Sequence, residues 1–336
     1  MAAFLFIRIM KLLINNSVDP TFNLALEELI ASDYPHEAVM LWRNGPSVIV
    51  GRNQNTEAEI NADAVRSRNI KVVRRITGGG AVYHDLGNIN YTIAANDRQL
   101  DSEAFARNAG IIVEVLYEMG VPAEFKGRND ILVDGRKISG SAKSVFADRT
   151  LFHGTLLFDA DLTVLSKVLT PDEEKIKAKG IKSVRSRVAN LKEFFPEWST
   201  DEFLAELTGR LLQKMHLSEV SAIPEDLLKS ADILADKKYR TWDWNYGSLT
   251  SYSYCQRQRF AGGSVEVRFN VAENRIVDTS FHGDFFGSRP VAELAEKING
   301  CVPRYDDIAG KLAAVDIADY ISGVNLDELL TLFRLV

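Results

Sequence analysis

The segment from Arg74 to Asn88 reads RRITGGGAVYHDLGN and has the strongest chemical character in the chain. Three consecutive glycines let the backbone approach a ligand to contact distance, and their N–H groups can face phosphate oxygens. Arg74 and Arg75 just upstream suit bidentate recognition of phosphate or carboxylate. Spacing alone equally fits a flexible turn beside solvated arginines, and the pattern is neither a Walker loop nor a Rossmann fingerprint. A second cluster, GRND at 127–130, runs into a segment carrying Lys137, followed by the small residues Ser139, Gly140, Ser141 and Ala142. Asn129 and Asp130 have the chemistry to place Mg²⁺ on a nucleotide, and they also make an ordinary turn. Lys137 is either a solvated strand lysine or a cation with room for a ligand beside it. A third stretch, KIKAKGIKSVRSR at 175–187, is dense in Lys and Arg around Gly180. It fits a basic loop over phosphates or a charged surface loop.

The elements that must hold these residues alternate between short apolar runs and amphipathic stretches. Asp19-Pro20 caps a helix FNLALEELIAS, and VMLW (39–42) and SVIVG (47–51) flank Asn44-Gly45-Pro46 as an expected hairpin. A helix near 56–69 leads to the strand KVVRRI (71–76), which runs into the glycines. AVYHD and NINYTIAA predict strands, residues 102–120 a helix, and ILVDGRKIS (131–139) a hairpin with Asp134-Gly135 at a type I′ turn. TLFHGTLLF (150–158) is another strand, and helices follow at 161–169, 200–215 and 224–238. Strands come in clusters, so the predicted fold class is α/β of the α+β type, with a mixed-sheet core. The expected boundaries are an extension at 1–9, a large catalytic domain at 10–248 and a small α+β domain at 249–336.

Composition sets outer limits. The chain has 336 residues, 40 Lys and Arg against 46 Asp and Glu, and a formal net charge of -6. No global basic field attracts a polyanion, so no nucleic-acid partner is expected. Cys255 and Cys301 are the only cysteines, which excludes a disulfide framework and a Cys-rich metal site and suits a cytoplasmic location. The apolar N-terminal run is interrupted by Arg8 and Lys11 and is too short to span a bilayer, so no membrane association is expected. There is no HExxH for zinc and no G-x-S-x-G nucleophile elbow.

Taken in order, RRITGGGAVYHDLGN, GRND, RKISGSA, HGTLL (153–157) and KGIKSVRSRVANL (179–191) resemble the lipoate–protein ligase A family. DPTFNLALEE (19–28) and VIVGRNQN (48–55) reinforce the likeness, which covers most of residues 11–245. The resemblance implies a fold like the catalytic domain of biotin and lipoate ligases, with a small C-terminal domain. It implies that ATP, Mg²⁺ and lipoate give lipoyl-AMP, from which a lysine of an acceptor takes the acyl group. The implied acceptors are lipoyl domains of 2-oxoacid dehydrogenase acyltransferase components and the glycine-cleavage H protein. Carried over by position, Arg75, Gly80, Ala81, Val82, Tyr83, Asn129, Asp130, Lys137, Ser183 and Arg185 fall on the nucleotide. Arg74, Gly79, His84, Lys137 and His153 fall beside lipoate, Asp130 near the metal, and Lys137 is the implied catalytic residue. Thr77 replaces a frequent Ser and keeps the hydroxyl, while Phe152 stands where a second His is common, so no role transfers to it.

Charge building on an attacked α-phosphate would be stabilised by Arg75, Lys137, Mg²⁺ and backbone N–H groups. Rival readings are a transferase using preformed lipoyl-AMP, a cysteine-dependent octanoyltransferase, a biotin ligase and a non-catalytic lipoate-binding protein. The octanoyltransferase needs a thiolate, and no Cys precedes residue 255. The Gly-Arg-rich loop usual in biotin ligases is absent.

Overall fold

The computed structural model describes residues 10–96, 102–126, 129–146, 149–170, 188–247 and 253–333. Thirteen strands are described: β1 Lys11–Asn15, β2 Ala38–Trp42, β3 Ser47–Val50, β4 Lys71–Arg74, β5 Val82–His84, β6 Asn88–Ala95, β7 Glu124–Lys126, β8 Asp130–Val133, β9 Arg136–Phe146, β10 Arg149–Leu157, β11 Tyr254–Phe260, β12 Gly263–Ala272 and β13 Arg275–Gly283. Seven form one sheet in the order β1-β2-β6-β10-β9-β8-β7, with β1 and β2 parallel and the other pairs antiparallel. A three-stranded sheet, β4-β3-β5, packs near it, and an antiparallel β11-β12-β13 sheet follows in the C-terminal part. This is the mixed α/β architecture that the clustered strands predict.

The large sheet is covered on both faces, which explains why β2 and β6 are wholly buried. Val39, Leu41, Ile89, Tyr91 and Ile93 point into a core shared with the helices Ser102–Glu118 and Thr200–Lys214. Their alternates Met40, Trp42 and Ala94 point to the other side, towards helix α1 (Pro20–Ser32), Glu225–Leu234 and the small sheet. Asp19 caps α1 by accepting from Thr21 N, and Pro20 opens its first turn.

The expected hairpin between 39–42 and 47–51 does not form. Both edges of β2 are occupied, by β1 and β6, so the chain leaves the large sheet after Trp42 and pairs β3 with β4 and β5. The single helix expected at 56–69 is two, Thr56–Glu59 and Ala62–Ser67. Ile60 is extended and bridges to Leu169, and Asn61 caps the second piece. The helix at 224–238 ends in a π-turn, Ala235–Tyr239, which delivers Lys238 and Tyr239 to the carboxylate of Glu28. The β8–β9 hairpin has φ of 51° at Asp134 and 72° at Gly135, the two positive values a type I′ turn requires. β11, whose sequence YCQRQRF is mostly exposed, lacks the apolar alternation that marks a strand.

No helix among the described residues is long and apolar enough to cross a membrane.

Candidate active site

One cavity of about 280 Å³ lies where the large sheet, the small sheet and the C-terminal part meet. Arg75, Gly79, Gly80, Ala81, Val82, His84, Asn129, Asp130, Lys137 and His153, singled out from sequence, all line it.

Its glycine wall is held by Arg75. The guanidinium donates from Nη2 to Gly78 O (2.7 Å) and Gly80 O (2.9 Å), from Nη1 to Ile49 O (3.1 Å) and from Nε to Thr77 Oγ1 (3.0 Å). An arginine only donates, so the Thr77 hydroxyl hydrogen must turn away, to His153 Nε2 at 2.8 Å. His153 Nδ1 then carries the proton shared with the Glu27 carboxylate, at 2.8 and 2.9 Å. From the other side Trp42 Nε1 donates to Thr92 Oγ1 (2.8 Å), which donates to Glu27 Oε1 (2.6 Å). The two donor-only ends thus fix the direction of every hydrogen bond between them. Burial pushes the Arg75 pKa down to about 10, and the Glu27 charge works against that shift, so the cation persists at neutral pH.

Lys137 occupies the opposite wall. The register slips by one residue between Ile131 and Leu132, a β-bulge at Ile138. Ile138 enters the helix-covered core and Ser139 reaches Tyr91 of that core, leaving Lys137 and Gly140 to the cavity. Lys137 Nζ lies 2.7 Å from Asp130 Oδ1. A Cβ on Gly140 would stand 2.6 Å from Nζ, so a side chain there would displace the ammonium. Asn129 is held by its own donation to Ser141 O (2.7 Å). Val188, which follows the basic 175–187 stretch, bridges to Lys137, and Ala189 N donates to Lys137 O at 2.9 Å. Ser183 and Arg185 lie outside the described residues.

Two expected ligand contacts are placed differently. Arg74 does not line the cavity: its guanidinium donates to the carbonyls of Gly51, Arg52, Gln54, Trp244 and Asn245 and to Thr56 Oγ1. What separates it from Arg75, whose donors also meet carbonyls and a hydroxyl of the fold, is its place outside the cavity lining. Tyr83 alternates with Val82 and His84 on β5, so its ring turns into the small-sheet core with Val48 and Val50. There, burial raises its pKa to about 12.

The C-terminal part completes the wall with Arg259, Asp284 and Phe286. Gly283 N donates to Asn53 O (2.7 Å), and a Cβ on Gly78 would fall 2.4 Å from Phe285 O. That close approach is a further use of the glycine run which its sequence does not reveal. Sequence reasoning also missed Glu27, Asn90 and Thr92. Their signal was present: Glu27 lies in the apolar stripe of α1, and Asn88, Asn90 and Thr92 are polar alternates in a strand buried on both faces. Among the described residues no cluster of His, Cys, Asp and Glu could hold a metal. One carboxylate, Asp130, beside Asn129 fits a Mg²⁺ ion that is carried mainly by nucleotide phosphates.

The chain matches the lipoyl protein ligase A/B catalytic domain family over residues 19–211 and the bacterial lipoate protein ligase C-terminus over 250–333. It is 38% identical to lipoate–protein ligase 1 of Staphylococcus aureus, across 96% of this chain and 99% of that protein. Plasmodium falciparum LipL1, solved in complex with lipoate, superposes with a TM-score of 0.74 at 27% identity, covering 91% of this chain and 94% of that one. A lipoate–protein ligase A bound with ATP gives 0.62 at 30% identity, over 71% and 99%. A bipartite lipoate protein ligase of Thermoplasma acidophilum, described together with its E2 lipoyl domain, gives 0.63 at 32% identity, over 73% and 98%.

Proposed function

The chain belongs to the lipoyl protein ligase A/B family, and from that premise we propose that it joins lipoate to a lysine of lipoyl-domain proteins in two ATP-dependent steps. The observation that carries this reading is the placement of two cations, Arg75 and Lys137, in the walls of one cavity whose remaining lining includes Leu24, Trp42 and Ile49. The polar part suits a nucleotide triphosphate and a carboxylate, and the apolar part suits an acyl chain.

In the first step the lipoate carboxylate oxygen attacks the α-phosphorus and pyrophosphate leaves, giving lipoyl-AMP. Lys137 meets both anions and offsets their repulsion, while Arg75 keeps the glycine wall in the shape that receives phosphate. Asp130 orients Lys137 and, with Asn129, would hold Mg²⁺ brought by the nucleotide; the ion supplies charge neutralisation. In the second step the neutral amine of the acceptor lysine attacks the acyl carbon, AMP leaves, and the amine loses a proton. The 175–187 stretch, with Ser183 and Arg185, is assigned to the nucleotide because the chain that follows it is bonded to Lys137. We assign catalysis to residues 10–248, an accessory role to 249–336 and a cytoplasmic location. The acceptors are lipoyl domains of 2-oxoacid dehydrogenases and the glycine-cleavage H protein.

No thiol lines the cavity among the described residues. Cys301 is buried in the C-terminal core and Cys255 is exposed on β11, which counts against a thioester route. The test is ATP–pyrophosphate exchange with lipoate, octanoate and biotin in parallel. Lipoate supports exchange, octanoate supports it more weakly and biotin is inactive; exchange with biotin alone would refute the assignment.

A further inference from the structure

Arg259 lines the cavity from the C-terminal part, and none of the motifs that carry the family likeness reaches it. Its surroundings are built to hold it. Arg259 on β11 pairs with Ser264 on β12, and its Nη1 donates to Ser264 Oγ at 3.0 Å. Asp284 Oδ1 accepts from Ser264 N at 2.6 Å, which leaves Oδ2 3.8 Å from Arg259 Nη1. Two glycines make backbone room for the pair. Gly263 has a φ of 138°, and a Cβ there would stand 2.9 Å from Asp284 Oδ1. A Cβ on Gly283 would fall 1.9 Å from Ser264 O. The Arg259 side chain is 23% exposed against 8% for Asp284, so the cation is the more open member.

The chain after Asp284 fixes where that cation stands. Gly79 N donates to Phe285 O at 3.4 Å, and a Cβ on Gly79 would meet the Phe286 ring at 3.2 Å. Arg259 is therefore seated on the glycine side of the cavity, across from Lys137.

Arg75 cannot serve a phosphate chain alone. It is buried, and four of its five N–H groups go to Ile49 O, Gly78 O, Gly80 O and Thr77 Oγ1. The Gly79 amide is turned to Phe285 as well. A triphosphate beside a carboxylate brings more negative charge than Lys137, Arg75 and one Mg²⁺ offset. A second guanidinium, whose fork matches two phosphate oxygens, supplies what is missing.

We propose that Arg259 is a nucleotide-binding and catalytic residue supplied by the C-terminal part, holding the β- and γ-phosphates of ATP, with Asp284 as its positioning residue. As the acid's carboxylate oxygen bonds to the α-phosphorus, the bond from that phosphorus to the bridging oxygen breaks. The bridging oxygen keeps the electron pair, and the charge that builds on the departing pyrophosphate meets Arg259. The inference deepens the acid-activation reading above and rests on it.

The experiment measures equilibrium binding of ATP and of AMP to the full chain with Mg²⁺ present, with lipoate-dependent pyrophosphate exchange as a parallel readout. Arg259→Gln weakens ATP binding about tenfold, the loss of one charge-assisted hydrogen bond, and leaves AMP binding within about twofold. It also raises the pyrophosphate concentration needed for half-maximal exchange. Arg259→Lys restores part of the ATP preference, since the charge stays and the fork is lost. Asp284→Asn lowers the preference by a smaller factor, whereas a merely structural role would weaken both nucleotides alike. Should Arg259→Gln fail to fold, Arg259→Met, which keeps the aliphatic stem, decides by the same ratio. No ATP preference in the wild type, an unchanged preference in the folded variant, or equal weakening of both nucleotides overturns the assignment of Arg259. Lipoate-dependent exchange in the wild type would still leave acid activation standing. An unchanged preference in Asp284→Asn overturns its positioning role. If the wild type neither binds ATP nor exchanges with lipoate, both readings fall.

Discussion

Replacing Thr77 by Val tests whether the buried relay is what holds the glycine wall. The two side chains have nearly the same shape, so the change removes only the hydroxyl. Thr77 is fully buried, and its hydroxyl accepts from Arg75 Nε at 3.0 Å and reaches His153 Nε2 at 2.8 Å. Valine leaves a charged donor and an imidazole acceptor unmet in the interior, each costing about 1–3 kcal/mol. Arg75 keeps its three carbonyl contacts and some relaxation follows, which puts the expected loss at about 3 kcal/mol. Thr77→Ser is the control; it keeps the hydroxyl and gives up one methyl, about 1 kcal/mol. The assay is urea unfolding followed by tryptophan emission. Trp42, Trp198, Trp242 and Trp244 are the only tryptophans, and Trp42 packs in the same core as Ile76 beside Thr77, so the signal reports on the surroundings of the substitution. At an m-value of about 2–3 kcal/mol per M, valine lowers the midpoint by roughly 1 M and serine by less than half of that. Equal midpoints for the two variants would show that Arg75 and His153 do not depend on Thr77.

Other perturbations separate chemistry from packing. Lys137→Ala slows lipoate-dependent exchange by about 10²–10³-fold with thermal stability nearly unchanged, and Lys137→Arg restores little because the geometry of a point charge is lost. Near-wild-type exchange in folded Lys137→Ala would leave it a strand lysine. Asp130→Asn raises the Mg²⁺ concentration needed for half-maximal exchange, and a superimposable Mg²⁺ titration would leave Asp130 as a turn residue. Burial lowers the pKa of His84 to about 3 and that of His282 to about 4. Both are neutral when folded and charged when unfolded below about pH 6.5, so their contribution is complete above that pH and lost as pH falls towards their folded values. Each adds up to about 1.4 kcal/mol per pH unit to the slope, and His84→Phe should flatten the stability–pH curve between pH 6 and 4 by that share. An unchanged slope would mean that His84 is not buried neutral.

Much of the site was legible because its residues sit in unbroken stretches. The glycine run, the GRND turn and the Lys137 hairpin are local, and local patterns state their own geometry: the two positive φ values at Asp134-Gly135 are what that dipeptide calls for. What escaped is what depends on partners distant in sequence. A run such as VMLW carries no mark of which edges will be taken, so a turn beside it reads as a hairpin when β1 and β6 already flank the strand. Arg74 and Arg75 are adjacent and chemically identical, yet alternation along one strand end sends the first to the carbonyls around Gly51 and the second to the glycine wall. Glu27 looks like any helix glutamate until His153 arrives from β10, across 126 residues. The Phe285 carbonyl against Gly78 could not be foreseen, since the C-terminal stretch has no motif of its own.

The central claim, acyl transfer through an adenylate to a protein lysine, is tested most directly by the intact mass of a purified lipoyl domain incubated with this chain, lipoate and MgATP. The domain should gain one lipoyl group, lost when its target lysine is replaced, when ATP is omitted or when Lys137→Ala is used. Adding preformed lipoyl-AMP should restore the gain in the absence of ATP. A lipoyl group acquired without ATP or adenylate, or no gain even with lipoyl-AMP supplied, would contradict the account.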